Sequence, residues 1–94
     1  MKLFKVWNTS SDWWVVAPDE EVAIDYSYKN TLTKEKKNLG INSSPHFHTE
    51  ALNGILEGNR VGIVIEVRTD EPCGYKYIFT ISHEWIPEKR TWRR

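Results

Sequence analysis

Residues 61–68 read Val-Gly-Ile-Val-Ile-Glu-Val-Arg, and residues 75–82 read Tyr-Lys-Tyr-Ile-Phe-Thr-Ile-Ser. β-Branched residues recur at every second position of the first stretch, and aromatic residues do so through most of the second. This period of two is typical of strands. The intervening residues 69–74 contain a proline and a glycine, which favour turns. The sequence therefore predicts an antiparallel hairpin in which β-branched side chains pair with aromatic ones.

A second hairpin is predicted at the start of the chain. Residues 2–8 contain strand-forming aromatic and β-branched residues, and residues 13–17 (WWVVA) form a short continuous apolar run. Five small polar residues, 8–12, provide turn chemistry between them. The apolar run indicates a strand that is covered on both faces or lies at the centre of a sheet.

Two helices are predicted between these hairpins. Residues 18–21 read Pro-Asp-Glu-Glu, so Asp19 is placed to cap a helix whose first turn is acidic and which ends near Asn30. A shorter helix is predicted over 49–57, because its apolar residues form one stripe and Gly58 follows at the position that favours glycine.

These elements predict an α+β fold. The expected sheet is mostly antiparallel and four-stranded, in the order β-β-α-(loop)-α-β-β, with both helices on one face. Residues 1–94 form a single small domain in this interpretation. Residues 31–45 are expected to be a flexible, lysine-containing loop, and residues 87–94 a basic tail.

The composition excludes several classes of protein. Thirteen basic and thirteen acidic residues give a formal net charge of zero, so no overall field attracts nucleic acid or an acidic membrane. A single cysteine excludes an internal disulfide, which suits a reducing compartment. No apolar run reaches the roughly 18 residues of a membrane span. We therefore expect a cytoplasmic protein with no membrane partner.

The five tryptophans are the strongest functional signal, because three of them lie within the first fourteen residues. Such side chains either fill a core or mark a surface where an apolar partner docks. With helices on one face only, the other sheet face would expose tryptophan and tyrosine. The leading hypothesis is a non-enzymatic protein-binding module, expected to be a homodimer. Its candidate surface residues are Trp7, Trp13, Trp14, Tyr75, Tyr77 and Trp85.

A nucleic-acid-binding module is the alternative hypothesis. The basic tail interleaves arginine with tryptophan, a combination that grips phosphates and stacks on bases, and the lysines of the loop would join it. A solvated tail explains the same residues. The candidates are Lys34, Lys36, Lys37, Lys89, Arg90, Trp92, Arg93 and Arg94.

A metal-dependent enzyme is the third hypothesis. His46 and His48 form an H-x-H pair that suits two ligands of one metal ion, and His83 would supply a third. Loop histidines without a metal are the competing interpretation. The chain shows no nucleophile elbow and no glycine-rich phosphate loop. We accordingly predict no catalytic residue and no cofactor.

One resemblance concerns the first 30 residues. Lys2-Leu3-Phe4-Lys5-Val6-Trp7, followed by Trp14-Val15-Val16-Ala17-Pro18-Asp19-Glu20-Glu21-Val22-Ala23, resembles the strand–strand–helix entry of many small proteins of bacteria, phages and mobile elements. The resemblance implies a folding signature and carries no site. Together with the small size, it makes a phage or bacterial accessory or inhibitor protein our working hypothesis.

Overall fold

The computed structural model describes residues 1–31, 38–43, 50–70 and 74–93. Two helices and six strands follow one another along the chain. They are β1 (Lys2–Trp7), β2 (Asp12–Ala17), α1 (Glu20–Asn30), β3 (Gly40–Ser43), α2 (Glu50–Glu57), β4 (Arg60–Arg68), β5 (Tyr75–Ile86) and β6 (Thr91–Arg93).

The α+β class is confirmed, but the prediction of four strands is wrong. The sheet has six strands in the order β3-β1-β2-β4-β5-β6, every neighbouring pair is antiparallel, and the sheet curls into a half-barrel. The two unpredicted strands, β3 and β6, lie within the expected loop 31–45 and the expected tail 87–94. They have four and three residues, too few for a strand period to show in the sequence.

The β1–β2 hairpin closes through the predicted polar turn. The Asn8 side chain accepts hydrogen bonds from the backbone amides of Ser10 and Ser11, each at 2.8 Å. The backbone amide of Asn8 donates to the carbonyl of Ser11 at 2.9 Å. Asparagine favours such turns because its side chain satisfies backbone donors two and three residues ahead. This turn sets the pairing of Val6 with Trp13 and of Lys5 with Trp14.

Helix α1 begins where the sequence predicts. The Asp19 carboxylate accepts a hydrogen bond from the backbone amide of Val22 at 3.0 Å, which satisfies a donor that has no partner within the helix. Val22, Ala23, Tyr26 and Ser27 are buried, so one stripe of the helix packs on the sheet.

The two helices lie on opposite faces of the sheet, so the prediction that both lie on one face is wrong. α1 packs in a cluster with Phe4 and Val15, whereas Leu52 of α2 packs in another cluster with Leu3 and Val16. Neighbouring residues of a strand point to opposite faces. Because β1 and β2 are apolar on both sides, both faces require a cover. We name the two sides of the sheet the α1 face and the α2 face.

A β-bulge changes the pairing within the β4–β5 hairpin. Ile63 lies opposite Ile81, but the next residue, Val64, lies opposite Phe79, so Thr80 is the extra residue. The Thr80 hydroxyl donates to the carbonyl of Ile63 at 3.2 Å. The bulge places Ile81 on the α1 face and Phe79 on the α2 face.

Two consequences follow for the predicted hairpin. The predicted pairing of the alternate β-branched residues of β4 with the aromatic residues of β5 does not form. Ile65 lies opposite Ile78, and Glu66 lies opposite Tyr77. The Phe79 ring also lies against Gly62, where a Cβ atom would come within 2.5 Å of Cδ1 of that ring.

Candidate protein-binding surface

The structure divides the predicted aromatic surface between the two faces of the sheet. The register of the strands puts Trp7, Trp14 and Tyr77 on the α2 face and Trp13 and Trp85 on the α1 face. The side chain of Tyr75 lies outside the described residues. The residues on the α2 face are considered further as a candidate site.

We define the aromatic surface as Lys5, Trp7, Trp14 and Tyr77. Lys5 and Trp14 are direct cross-strand neighbours, and Lys5 Nζ lies 4.3 Å from the centroid of the Trp14 ring. The same ammonium pairs with Asp12 at 3.4 Å. Trp7 is 37% exposed, and Trp14 and Tyr77 are half-buried. The surface therefore presents aromatic rings that are partly seated in the protein and partly open to solvent.

A glycine in the edge strand positions Trp7. Gly40 lies directly opposite Trp7 in the β1–β3 pair, and the indole ring occupies the space that a Cβ atom on residue 40 would need. The ring therefore lies over the backbone of β3. An aromatic side chain that covers a cross-strand glycine shields this thin edge of the sheet.

The other two tryptophans proposed for the surface, Trp13 and Trp85, contribute to the core. Trp85 is only 6% exposed and belongs to the cluster under α1, so it does not form part of an open surface. Trp13 is half-buried against the same cluster, and its indole Nε1–H donates to the hydroxyl of Ser27 at 2.9 Å. For these two residues, the interpretation that tryptophan fills the core is the correct one.

Two of the three arginines proposed for nucleic-acid binding, Arg90 and Arg93, are ion-paired. Arg90 contacts Asp19 at 2.6 Å, and Arg93 contacts Glu84 at 3.2 Å. The pKa of the Asp19 carboxyl is lowered, chiefly by the hydrogen bond from Arg90 and also by the hydrogen bond from the Val22 amide. Both arginines thus have carboxylate partners within the fold.

Of the other nucleic-acid candidates, Trp92 and Lys89 belong to the described part of the chain. Trp92 packs edge-on against Tyr26, with ring centroids 5.0 Å apart, and Lys29 Nζ lies 5.3 Å from the centroid of the Trp92 ring. Lys89 is exposed in the turn before β6. Lys34, Lys36, Lys37 and Arg94 lie outside the described residues.

Of the three histidines, only His83 belongs to the described part of the chain; His46 and His48 lie outside it. Nδ1 of His83 lies 2.6 Å from the hydroxyl of Tyr26. Burial raises the pKa of Tyr26 to about 12, against a smaller opposing effect of Arg60. The described residues include no group of three histidine, cysteine, aspartate or glutamate side chains placed to hold a metal ion.

A surface cavity of about 290 Å³ lies beside the β5–β6 turn, and Asn59, Glu84, Trp85 and Arg93 are among its lining residues. Two contacts join groups of its lining. The Asn59 side chain donates to the carbonyl of Trp85 at 3.1 Å, and Arg93 holds Glu84.

Three exposed isoleucines were not recognised as candidates from the sequence. Ile65 is 43% exposed, and Ile78 and Ile81 are each 38% exposed; all three lie on the α1 face. Isoleucines at alternate positions of a strand predict that one face of the strand is buried. The sequence does not reveal how far along the strand a helix covers that face. The bulge at Thr80 adds Ile81 to this face.

Comparisons with known proteins give no relative for this chain: no family model, no curated protein and no solved structure matches it. Within the described residues, neither helix has the length and apolar character needed to cross a lipid bilayer.

Proposed function

We propose that this protein is a non-enzymatic binding protein that docks on a partner protein through the aromatic surface. The observation that carries the proposal is the position of Trp7, which is 37% exposed on the same sheet face as half-buried Trp14 and Tyr77. Tryptophan and tyrosine are enriched among the residues that dominate binding energy in protein interfaces.

The way these rings are held supports the proposal. Trp7 lies over Gly40, and Trp14 packs against the core cluster of α2 while Lys5 covers its ring. Side chains that are already held in place lose little conformational freedom when a partner binds. Binding then gains mainly from removing the remaining apolar area from water, at about 25 cal/mol per Å².

The charges around the rings favour a protein over a nucleic acid. Lys5 is paired with Asp12, and the register places Glu66 and Arg68 on the same face. A nucleic-acid groove would need an excess of positive charge beside its stacking rings. The aromatic surface carries a balanced polar rim instead, which suits an apolar protein surface with polar groups around it.

Site-specific photo-crosslinking in the native cells tests this proposal. Replacing Trp7 with the photoreactive residue benzoylphenylalanine should give one discrete protein adduct, identified by mass spectrometry. The matched control carries the same residue at Glu20, which is exposed at the start of α1, and should give none. The same crosslinking is repeated in a lysate of these cells as a competition. Excess purified wild-type protein should reduce the amount of adduct at position 7, whereas the Trp7→Ala variant should reduce it little.

Two results would contradict the proposal. One is the same adducts at positions 7 and 20, which would indicate random collisions. The other is an adduct at position 7 that contains nucleic acid in place of protein, which would favour the nucleic-acid hypothesis.

A further inference from the structure

Lys5 places a positive charge inside the aromatic surface. Along β1, its neighbours on the same face are buried Leu3 and partly exposed Trp7, and Trp14 lies directly opposite it in β2. On the other side, β3 places the uncharged Asn42 opposite Lys5. The ammonium group therefore lies among the tryptophans that the proposed function assigns to a protein interface.

Two contacts restrain the Lys5 ammonium. Nζ lies 4.3 Å from the centroid of the Trp14 ring and 3.4 Å from Oδ2 of Asp12. An ammonium has three N–H donors, and one carboxylate does not engage all of them. The Lys5 side chain also keeps 31% of its surface exposed. The group is thus held in position and retains donors for an acceptor outside this chain.

A partner protein that covers the two tryptophans would remove Lys5 from water. Burying a charge is unfavourable unless the charge is paired and hydrogen-bonded. Asp12 supplies one counter-charge, but its side chain is 63% exposed, so its own charge stays in contact with solvent. The donors of Lys5 that lose their water therefore need an acceptor from the partner.

We infer that Lys5 determines specificity at the aromatic surface by binding the carboxylate of an aspartate or glutamate of the partner protein. The inference rests on the proposed function and names the partner's chemistry at that site: a carboxylate flanked by the apolar groups that cover Trp7 and Trp14. A carboxylate is favoured over a neutral acceptor because hydrogen bonds between charged groups are shorter and stronger.

The other charges of the α2 face in the described part of the chain do not take over this role. Glu66 and Arg68 lie on β4, and β2 separates β4 from the strand of Lys5. Two strand spacings amount to about 10 Å, a distance at which exposed charges are largely screened at physiological salt. These two charges also have opposite signs. A carboxylate seated over the tryptophans therefore meets Lys5 as its nearest cation.

The competition assay with benzoylphenylalanine at position 7 tests the inference with purified, unlabelled variants. Lys5→Met keeps the length of the side chain and removes its charge. The concentration of this competitor that halves the adduct should be at least about tenfold higher than that of the wild type, because hydrogen bonds to charged groups are the strong ones. Lys5→Arg keeps the charge and should compete far better than Lys5→Met.

Lys2→Met is the matched control. Lys2 is exposed on the same strand but points to the α1 face, so this variant should compete like the wild type. Far-UV circular dichroism and thermal melting establish that each competitor is folded. If Lys5→Met does not fold, Lys5→Gln provides the same comparison.

Ionic strength distinguishes a carboxylate from a neutral acceptor. Raising sodium chloride from about 50 mM to about 500 mM should weaken competition by the wild type and change competition by Lys5→Met little, because salt screens a pair of charges. A wild type that competes equally at both salt concentrations would overturn the carboxylate as the acceptor.

The remaining outcomes separate the inference from the proposed function. A folded Lys5→Met that competes like the wild type, or an equal loss with Lys2→Met, would overturn the inference while the protein adduct at position 7 leaves the proposed function standing. An adduct that contains nucleic acid, or no discrete protein adduct at position 7, would contradict the proposed function and the inference together.

Discussion

The hydroxyl of Tyr26 and Nδ1 of His83 lie 2.6 Å apart and join the middle of α1 to β5. Tyr26 is fully buried, and its ring meets the imidazole edge-on with centroids 5.5 Å apart. Because burial raises the pKa of Tyr26 to about 12, its hydroxyl stays protonated beside the imidazole. This contact fixes the position of the helix relative to a strand 57 residues away in sequence.

Tyr26→Phe should lower the free energy of unfolding by about 1 kcal/mol, because it removes one hydrogen bond and keeps the packing of the ring. Urea unfolding followed by far-UV circular dichroism measures the change. The double variant with His83→Ala provides the control: its loss should be smaller than the sum of the two single losses. Additive losses would show that the two side chains are not coupled.

Asp19→Ala should destabilise the protein by about 1 kcal/mol, because it removes the cap of α1 together with the ion pair to Arg90. Asp19→Asn retains a capping oxygen and loses only the charge. It should therefore cost less than Asp19→Ala, since ion pairs at exposed sites contribute little. Thermal melting of the two variants side by side measures the difference. Equal losses would mean that the charge and not the cap matters at this site.

The contribution of the Asp19 charge should depend on pH in the acidic range. The pKa of Asp19 in the folded protein is below its ordinary value of 3.8, so the unfolded chain binds the proton first as the pH falls. The stabilising effect is complete above the unfolded-state pKa and disappears as the pH falls through the folded-state value. The stability difference between the wild type and Asp19→Asn should therefore be constant near neutral pH and vanish in strong acid. A difference that grows with acidity would contradict the assignment.

Ser27→Ala should destabilise the protein by about 1–3 kcal/mol. Ser27 is fully buried and accepts the indole N–H of Trp13 at 2.9 Å, so its removal deprives a half-buried donor of its acceptor. Chemical denaturation monitored by tryptophan fluorescence measures the loss. In a Trp13→Phe background the same substitution should cost much less, because the donor is gone. An equal cost in both backgrounds would assign the effect to the helix alone.

Gly62→Ala and Gly54→Ala should change stability in opposite directions. A Cβ atom on residue 62 would lie 2.5 Å from both the Ile81 carbonyl oxygen and the Phe79 ring, so alanine should destabilise by about 1–3 kcal/mol. Residue 54 has nothing within 4 Å of the corresponding position in α2, so alanine should stabilise by about 0.5–1 kcal/mol. Midpoints of thermal unfolding give both signs. A neutral Gly62→Ala would mean that the bulge adjusts without strain.

Local signals in the sequence were sufficient for most of the elements. The acidic first turn after Asp19 predicted the start of α1, which runs over Glu20–Asn30, and the stripe before Gly58 predicted α2 over Glu50–Glu57. The period of two predicted the β4–β5 hairpin, and a short apolar run after a polar turn predicted the β1–β2 hairpin. These features succeed because a cap, a turn residue or a side-chain period acts over a few neighbouring residues and is visible in the chain itself.

The candidate sites were less predictable, because burial depends on distant residues. Trp85 and Trp7 are both tryptophans near predicted strands, yet one lies in the core and the other is partly open on the edge pair of β1 and β3. No residue close to either tryptophan in the sequence indicates which of the two is buried. Whether Ile65, Ile78 and Ile81 are exposed depends on how much of the sheet α1 covers and on one extra residue, Thr80, in β5.

The sequence by itself determined the two helices, the four longer strands, the antiparallel hairpins and the balance of charge, since each of these follows from nearby side chains. Only the tertiary structure decided that β3 and β6 join the edges, that α1 and α2 cover opposite faces, and that the bulge redirects Ile81. The physical reason is that edge pairing and helix placement depend on backbone groups and apolar surface from segments far apart in the chain, which no local pattern records.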